Sequence, residues 1–275
     1  MQNRIELPAA LEPYRGVLEK TTRPFLQIKA TSGTTSLHHS KFGGHPYLPK
    51  TAEHPKDKNG QPMMLLAQLN FEELPHLDPM PKQGILQIFI PFADSFYGLD
   101  FDNQIDQKNF RTVYYSDVVT DESSLVTDFS YLDDVEIGPV PFSGEYTLSF
   151  QLQAEPVSMN DYRFASLTDD AINFEDAVEV DGETVDMWDV CAEHLSGIGH
   201  KIGGYPGFNQ EDPRDDEGAY SGYEILLLQI DTDYDEEEDE TDIMWGDSGV
   251  ANFFIKEEDL RNLDFSKVLY NWDCC

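Results

Sequence analysis

Seven histidines, three cysteines and one dense run of acids are the residues of this chain best suited to chemistry. His38, His39, His45 and His54 crowd one stretch, but at no helical two-ligand spacing and with no His-Glu-x-x-His. Cys191-x-x-His194 with His200 lacks the second cysteine pair of a structural zinc site, so no metal centre or cofactor is expected. The run Asp231-Thr232-Asp233-Tyr234-Asp235 places oxygens at alternate positions, as a calcium loop does. Glu236 stands where that loop needs glycine, and Asp242 where it needs a bidentate glutamate. An EF-hand is excluded, while loose divalent-cation binding to the carboxylates of Asp231–Asp242 stays open. Nucleophilic catalysis has no Gly-x-Ser-x-Gly elbow to use, and Asp247-Ser248-Gly249 reads as a turn into a strand. Gly43-Gly44 and Gly203-Gly204 lack the strand–turn–helix setting of a nucleotide fingerprint. The best candidate for ligand binding is the loop Tyr205-Pro-Gly-Phe208-Asn-Gln210, with Trp245 and Asp247 before a neighbouring strand. These aromatics and amides suit a small-molecule or peptide groove; they equally suit packing between two halves of the chain.

The elements that position these residues occur twice. Lys41-Phe-Gly43-Gly44-His45-Pro46 matches Lys201-Ile-Gly203-Gly204-Tyr205-Pro206. Leu65–Asn70 then matches Leu226–Asp231, Gly84–Ile90 matches Gly249–Ile255, and Asn109–Tyr115 matches Asp264–Tyr270. Four correspondences in one order predict an internal duplication of a β-rich unit with pseudo-two-fold symmetry. The fold class expected is α+β, β-dominated, with a few peripheral helices. Residues 1–275 would form one domain: a helix and strand over 1–36, a first half over 37–160, then a helical insert and second half over 161–275. The Leu-, Ile- and Phe-rich matched runs read as strands covered on both faces. Their glycines read as positive-φ or close-approach positions, and their amides, Gln68, Gln87, Gln229 and Asn252, as buried ties between strands and loops.

Elsewhere, Leu7, Leu11, Tyr14 and Leu18 predict a helix over 7–20 that Pro13 must kink or divide. A strand is expected at 24–30, and an antiparallel strand at 145–153 with Tyr146, Leu148, Phe150 and Leu152 on one face. The stretches 49–62, 94–108 and the acid run are expected to be surface loops. Residues 166–197 read helical: one helix opened by Thr168-Asp169-Asp170 and broken at Gly182, another from Val185 with Trp188, Cys191 and Leu195 on its apolar side. Cys191 is then core rather than nucleophile.

A net charge of −35, from 53 acidic and 18 basic side chains, repels nucleic-acid phosphate and anionic membranes; it suits basic proteins, metal cations or neutral molecules as partners, and equally suits solubility alone. Three cysteines make no disulfide framework, and no apolar run is long enough for a membrane span; a soluble, cytoplasmic protein is expected.

The order of the N-terminal helix, Lys41-x-Gly-Gly-x-Pro-Tyr-Leu-Pro49, Leu65–Glu73, Gly84–Ile90, Gly203-Gly-Tyr-Pro206 and Trp245-Gly-Asp-Ser-Gly249 resembles the YwqG-like family of bacterial proteins, a domain of unknown function. The resemblance spans nearly the whole chain. It implies a mixed, β-dominated fold, supplies no catalytic motif, and suggests a link to bacterial toxin–immunity systems. The function expected is a non-enzymatic binding protein for a basic partner. The alternative is a small-ligand or metal-dependent enzyme with its site where the halves join.

Overall fold

Residues whose side chains must be covered on both faces lie at the centre of this molecule. A computed structural model describes residues 5–235 and 240–275. Its main sheet takes ten strands: β1 (Arg23–Ser32), β2 (Lys41–Gly43), β3 (Met63–Asn70), β4 (Ile85–Pro91), β5 (Arg111–Tyr115) and β6 (Glu145–Glu155), then β9 (Lys201–Gly203), β10 (Ile225–Asp231), β13 (Val250–Ile255) and β14 (Leu269–Asp273). All neighbours are antiparallel, in the order β14-β13-β10-β9-β1-β6-β2-β3-β4-β5. The sheet curls. Every residue of β3, β4 and β13 is buried, as their unbroken apolar runs predict. One core cluster takes Leu66, Leu86 and Ile88 together with Leu227, Phe253 and Tyr270. Loops and side chains around Tyr47, Leu125, Phe208 and Tyr223 cover parts of the other face.

The matched segments fall on β2 and β9, β3 and β10, β4 and β13, and β5 and β14. Both β3 and β10 carry a bulge at the same point of the match, between Leu65 and Ala67 and between Leu226 and Leu228. The fourth match needs a correction. Tyr115 lies opposite Ile85, but Asp273, not Tyr270, lies opposite Val250. The Phe-x-x-x-x-Tyr likeness of Phe110–Tyr115 and Phe265–Tyr270 is therefore three residues out of strand register.

Pro13 divides the N-terminal helix as expected: a 3-10 turn over Ala9–Tyr14 contains it, and α1 (Arg15–Thr21) follows. The helix expected from Thr168 to Gly182 is overturned. The chain forms a one-turn helix α2 (Phe164–Leu167), whose end Thr168 ties by its hydroxyl to Phe164 O. It then forms a hairpin of β7 (Ala177–Val180) and β8 (Glu183–Asp186). Asp181 and Gly182 both have positive φ, 53° and 89°, as a tight hairpin turn requires. The next helix, α3 (Met187–His194), buries Met187, Val190 and Cys191 but leaves Trp188 54% exposed, contrary to the expected face. Burial pushes the Cys191 thiol up to about 11, so it is core. The acid run is not a plain loop: β11 (Asp233–Asp235) pairs with β12 (Glu240–Ile243), and 236–239 lie outside the described residues. A last helix, α4 (Glu257–Arg261), precedes β14.

Candidate functional site

The lysines that open the two matched segments are 1% exposed each and point inward. Lys41 Nζ donates to Glu145 Oε1 at 3.0 Å and to His45 O at 3.1 Å. Lys201 Nζ donates to both carboxylate oxygens of Glu155, at 3.0 and 2.9 Å. Glu145 and Glu155 are the first and last residues of β6, so one strand clamps both lysines. Burial pushes both lysines below the usual ammonium range, against the pull of their glutamates. Burial alone would raise Glu145, but bonds from Thr35 and Lys41 outweigh it and hold the carboxyl low. The second glycine of each motif makes room for the clamp. A Cβ on Gly44 would lie 2.6 Å from Glu145 Cδ, and one on Gly204 2.2 Å from Glu155 Oε1. Lys-x-Gly-Gly is therefore a structural device.

The strand amides serve the backbone too. Gln68 Oε1 accepts from Tyr47 N–H at 2.8 Å, and its Nε2 donates to Leu37 O and His39 O. Gln229 Oε1 accepts from Gly207 N–H at 2.9 Å, and its Nε2 donates to Gly197 O and Gly199 O. Gln87 and Asn252 donate to the carbonyls of Tyr47 and Gly207, each at 2.8 Å. These amides hold loops, not a ligand.

A wide opening lies elsewhere. β9 pairs with β1 from Phe25 to Gln27, and Ile28 N–H adds one bond to His200 O at 2.9 Å. Past that point a cleft of about 730 Å³ opens between β1 and the end of β10. Lys29, Gln151, His200, Asp231, Thr232 and Asp233 stand on its walls. His200 is 7% exposed, and its Nδ1 accepts from Asp231 N–H at 2.9 Å. The ring proton of the neutral imidazole therefore sits on Nε2. Among the described residues Nε2 is buried without a hydrogen-bond partner, 3.8 Å from Asp233 Oδ2. Burial pushes the Asp231 carboxyl above the usual range, although it accepts from Gly199 N–H at 2.6 Å and Thr232 N–H at 2.8 Å. The His200 ring holds Asp233 below that range, and the Asp233 side chain is 52% exposed at the mouth. A carboxylate at the rim suits a cation, and the Nε2–H behind it suits an acceptor. One signal for this site was in the sequence. His200 stands just before the second matched segment, and Ser40 just before the first; the Ser40 hydroxyl accepts from Asn70 N–H at 2.9 Å.

The five residues singled out in the sequence lie outside this cleft. Tyr205 is buried beside Leu18 and Cys191 and donates its hydroxyl to Thr21 O at 2.5 Å. Phe208 stacks on Phe254, with ring centres 6.2 Å apart, in a second cluster. Trp245 is fully buried in a third, edge-on to Tyr97. Gln210 and Asp247 are exposed and meet the C-terminal segment: Gln210 Nε2 donates to Cys274 O at 2.8 Å, and Cys275 N–H to Asp247 O at 3.3 Å. The structure thus brings Gln210 and Asp247 to one segment and sends the three aromatics to separate cores.

Among the described residues no group of three or more His, Cys, Asp or Glu side chains is placed to hold a metal ion, and no helix is long and apolar enough to cross a membrane. No curated protein matches the chain. The family model described as Domain of unknown function (DUF1963) matches residues 40–274, and the chain belongs to that family.

Proposed function

We propose that this chain is a non-enzymatic binding protein that receives a basic partner protein at the cleft between β1 and β10. The observation that carries the reading is the half-exposed Asp233 carboxylate at the mouth of a 730 Å³ cleft, on a chain of net charge −35. A field of that sign speeds the approach of a cationic partner and fades with salt. We further infer an internal duplication about a pseudo-two-fold between β1 and β6. The twin lysine clamps, the twin amide ties and the bulges of β3 and β10 support it. The resemblance to YwqG-like bacterial proteins supports an immunity-type role in the cytoplasm.

The test is a thermal-shift and calorimetric titration with hexalysine at low salt. The peptide is expected to raise Tm and to lose its effect at high salt. Asp233→Asn should weaken binding by up to about fivefold, the worth of an exposed ion pair, whereas Asp133→Asn should not. If both variants behave alike, the cleft is not the site. A second reading, a small-ligand or metal-dependent enzyme at the same cleft, has in its favour a His200 Nε2 that is unpartnered among the described residues. It would gain from a saturable shift with one divalent cation, and so would the weak cation binding proposed for Asp231–Asp242.

A further inference from the structure

The central strand β6 is a middle strand over only part of its length. β2 pairs with it from Glu145 to Thr147 and then ends. Its backbone groups alternate in direction. Gly33 N–H bonds to Glu145 O, so odd-numbered residues face β1; Gly44 N–H bonds to Gly144 O, so even-numbered residues face β2. Beyond Tyr146 the outward groups belong to Leu148, Phe150, Leu152 and Ala154. Among the described residues no backbone bond reaches them from that side. A second cleft, of about 340 Å³, borders this edge between Ser149, Phe150 and Glu73, and Ser149 and Phe150 also line the first cleft.

An open edge is normally blunted by charge, proline or a cover. Leu148-Ser-Phe-Gln-Leu-Gln-Ala154 has no charge and no proline, and Leu152 is 52% exposed. A second copy is a poor cover, because two chains at −35 repel one another. We propose that the free edge of β6 takes an extended segment of the basic partner by strand addition. That segment carries apolar side chains beside Phe150 and Leu152 and lysine or arginine on the face of Gln151 and Gln153. Main-chain bonds supply its affinity, and the alternation supplies its specificity. This rests on the reading of the protein as a receptor for a basic partner.

The probe is a synthetic peptide of alternating valine and lysine, roughly the length of a long strand, with a copy N-methylated at alternate amides. Binding of the first should slow hydrogen exchange at Leu148, Phe150 and Leu152 by about tenfold or more. The N-methylated copy should bind at least about tenfold more weakly. Leu152→Pro removes an outward N–H and leaves the bonds to β1 in place, so it should weaken the first peptide likewise. If both peptides bind equally and those amides exchange as before, strand addition is overturned while the receptor reading stands. If neither peptide nor hexalysine binds at low salt, both fall. If the chain sediments as a dimer that Leu152→Pro dissociates, a second copy owns the edge and the proposal is overturned.

Discussion

Lys201→Met is expected to destabilise the fold by about 3–5 kcal/mol, read as a lower denaturant midpoint at unchanged slope. Lys201 is 1% exposed and spends its charge on both oxygens of Glu155, itself 18% exposed. Removing the ammonium leaves a largely buried carboxylate whose remaining donor among the described residues is Tyr205 N–H, at 2.7 Å. The pair need not be stabilising relative to an uncharged one; the cost lies in breaking it. Lys201→Met with Glu155→Gln should therefore recover most of the loss, because glutamine still accepts from Tyr205. The same contrast is expected for Lys41 and Glu145. A single variant costing under about 1 kcal/mol would place the clamp among ordinary surface pairs and refute the argument.

Arg214→Ala should cost a similar amount, about 3–5 kcal/mol. The guanidinium is buried, forks onto Asp212 at 2.9 and 2.7 Å, reaches Asp161 at 3.2 Å and Tyr223 O at 3.1 Å, and lies 4.0 Å from the Phe254 ring centre. Asp161 is fully buried and also takes a fork from Arg163. The network fastens the segment after β6 to the loop before β10. Arg214→Lys should restore little, since a point charge cannot make the fork or the flat contact. Full rescue by lysine in thermal unfolding would show that charge alone matters.

The same network sets a pH dependence. Burial alone would raise Asp161, but Arg163 and Arg214 outweigh it and hold the carboxyl below its usual value. A lowered carboxylate contributes stability that is present above the unfolded value of about 3.9 and is lost as pH falls through the folded one. The stability gap between the natural chain and Asp161→Asn should thus narrow below about pH 4. A gap constant from neutral to acid pH would contradict this assignment.

The buried strands and the Pro13 break were legible because apolar runs and proline act locally. The amides Gln68 and Gln229 could be read as ties, since a polar group in an apolar strand must find a partner. Their partners could not be read, nor could Glu145 and Glu155, because a lone glutamate at a strand end looks like any surface acid until the lysine arrives from far away in the chain. Asp181-Gly182 was a turn signal hidden among acids that also suit a helix start. The aromatics Tyr205, Phe208 and Trp245 looked like a groove because their spacing says nothing about which core each enters. Asp233 looked like one acid among many, and only the end of β9 at Lys201 exposes the cleft beside it.

The ribbon of β1 and β6 also dictates how the chain must fold. β3, β4 and β5 meet through connections far shorter than those that join the ribbon, as do β13 and β14. Arg23, by contrast, must find Glu155 across nearly half of the chain, and Phe25 must find Gly203 across well over half of it. Loop-closure entropy is paid in full before such pairings return anything. The outer meanders are therefore expected to assemble before the ribbon, and the pairing of β1 with β6 and β9 is expected to set the slow phase of refolding.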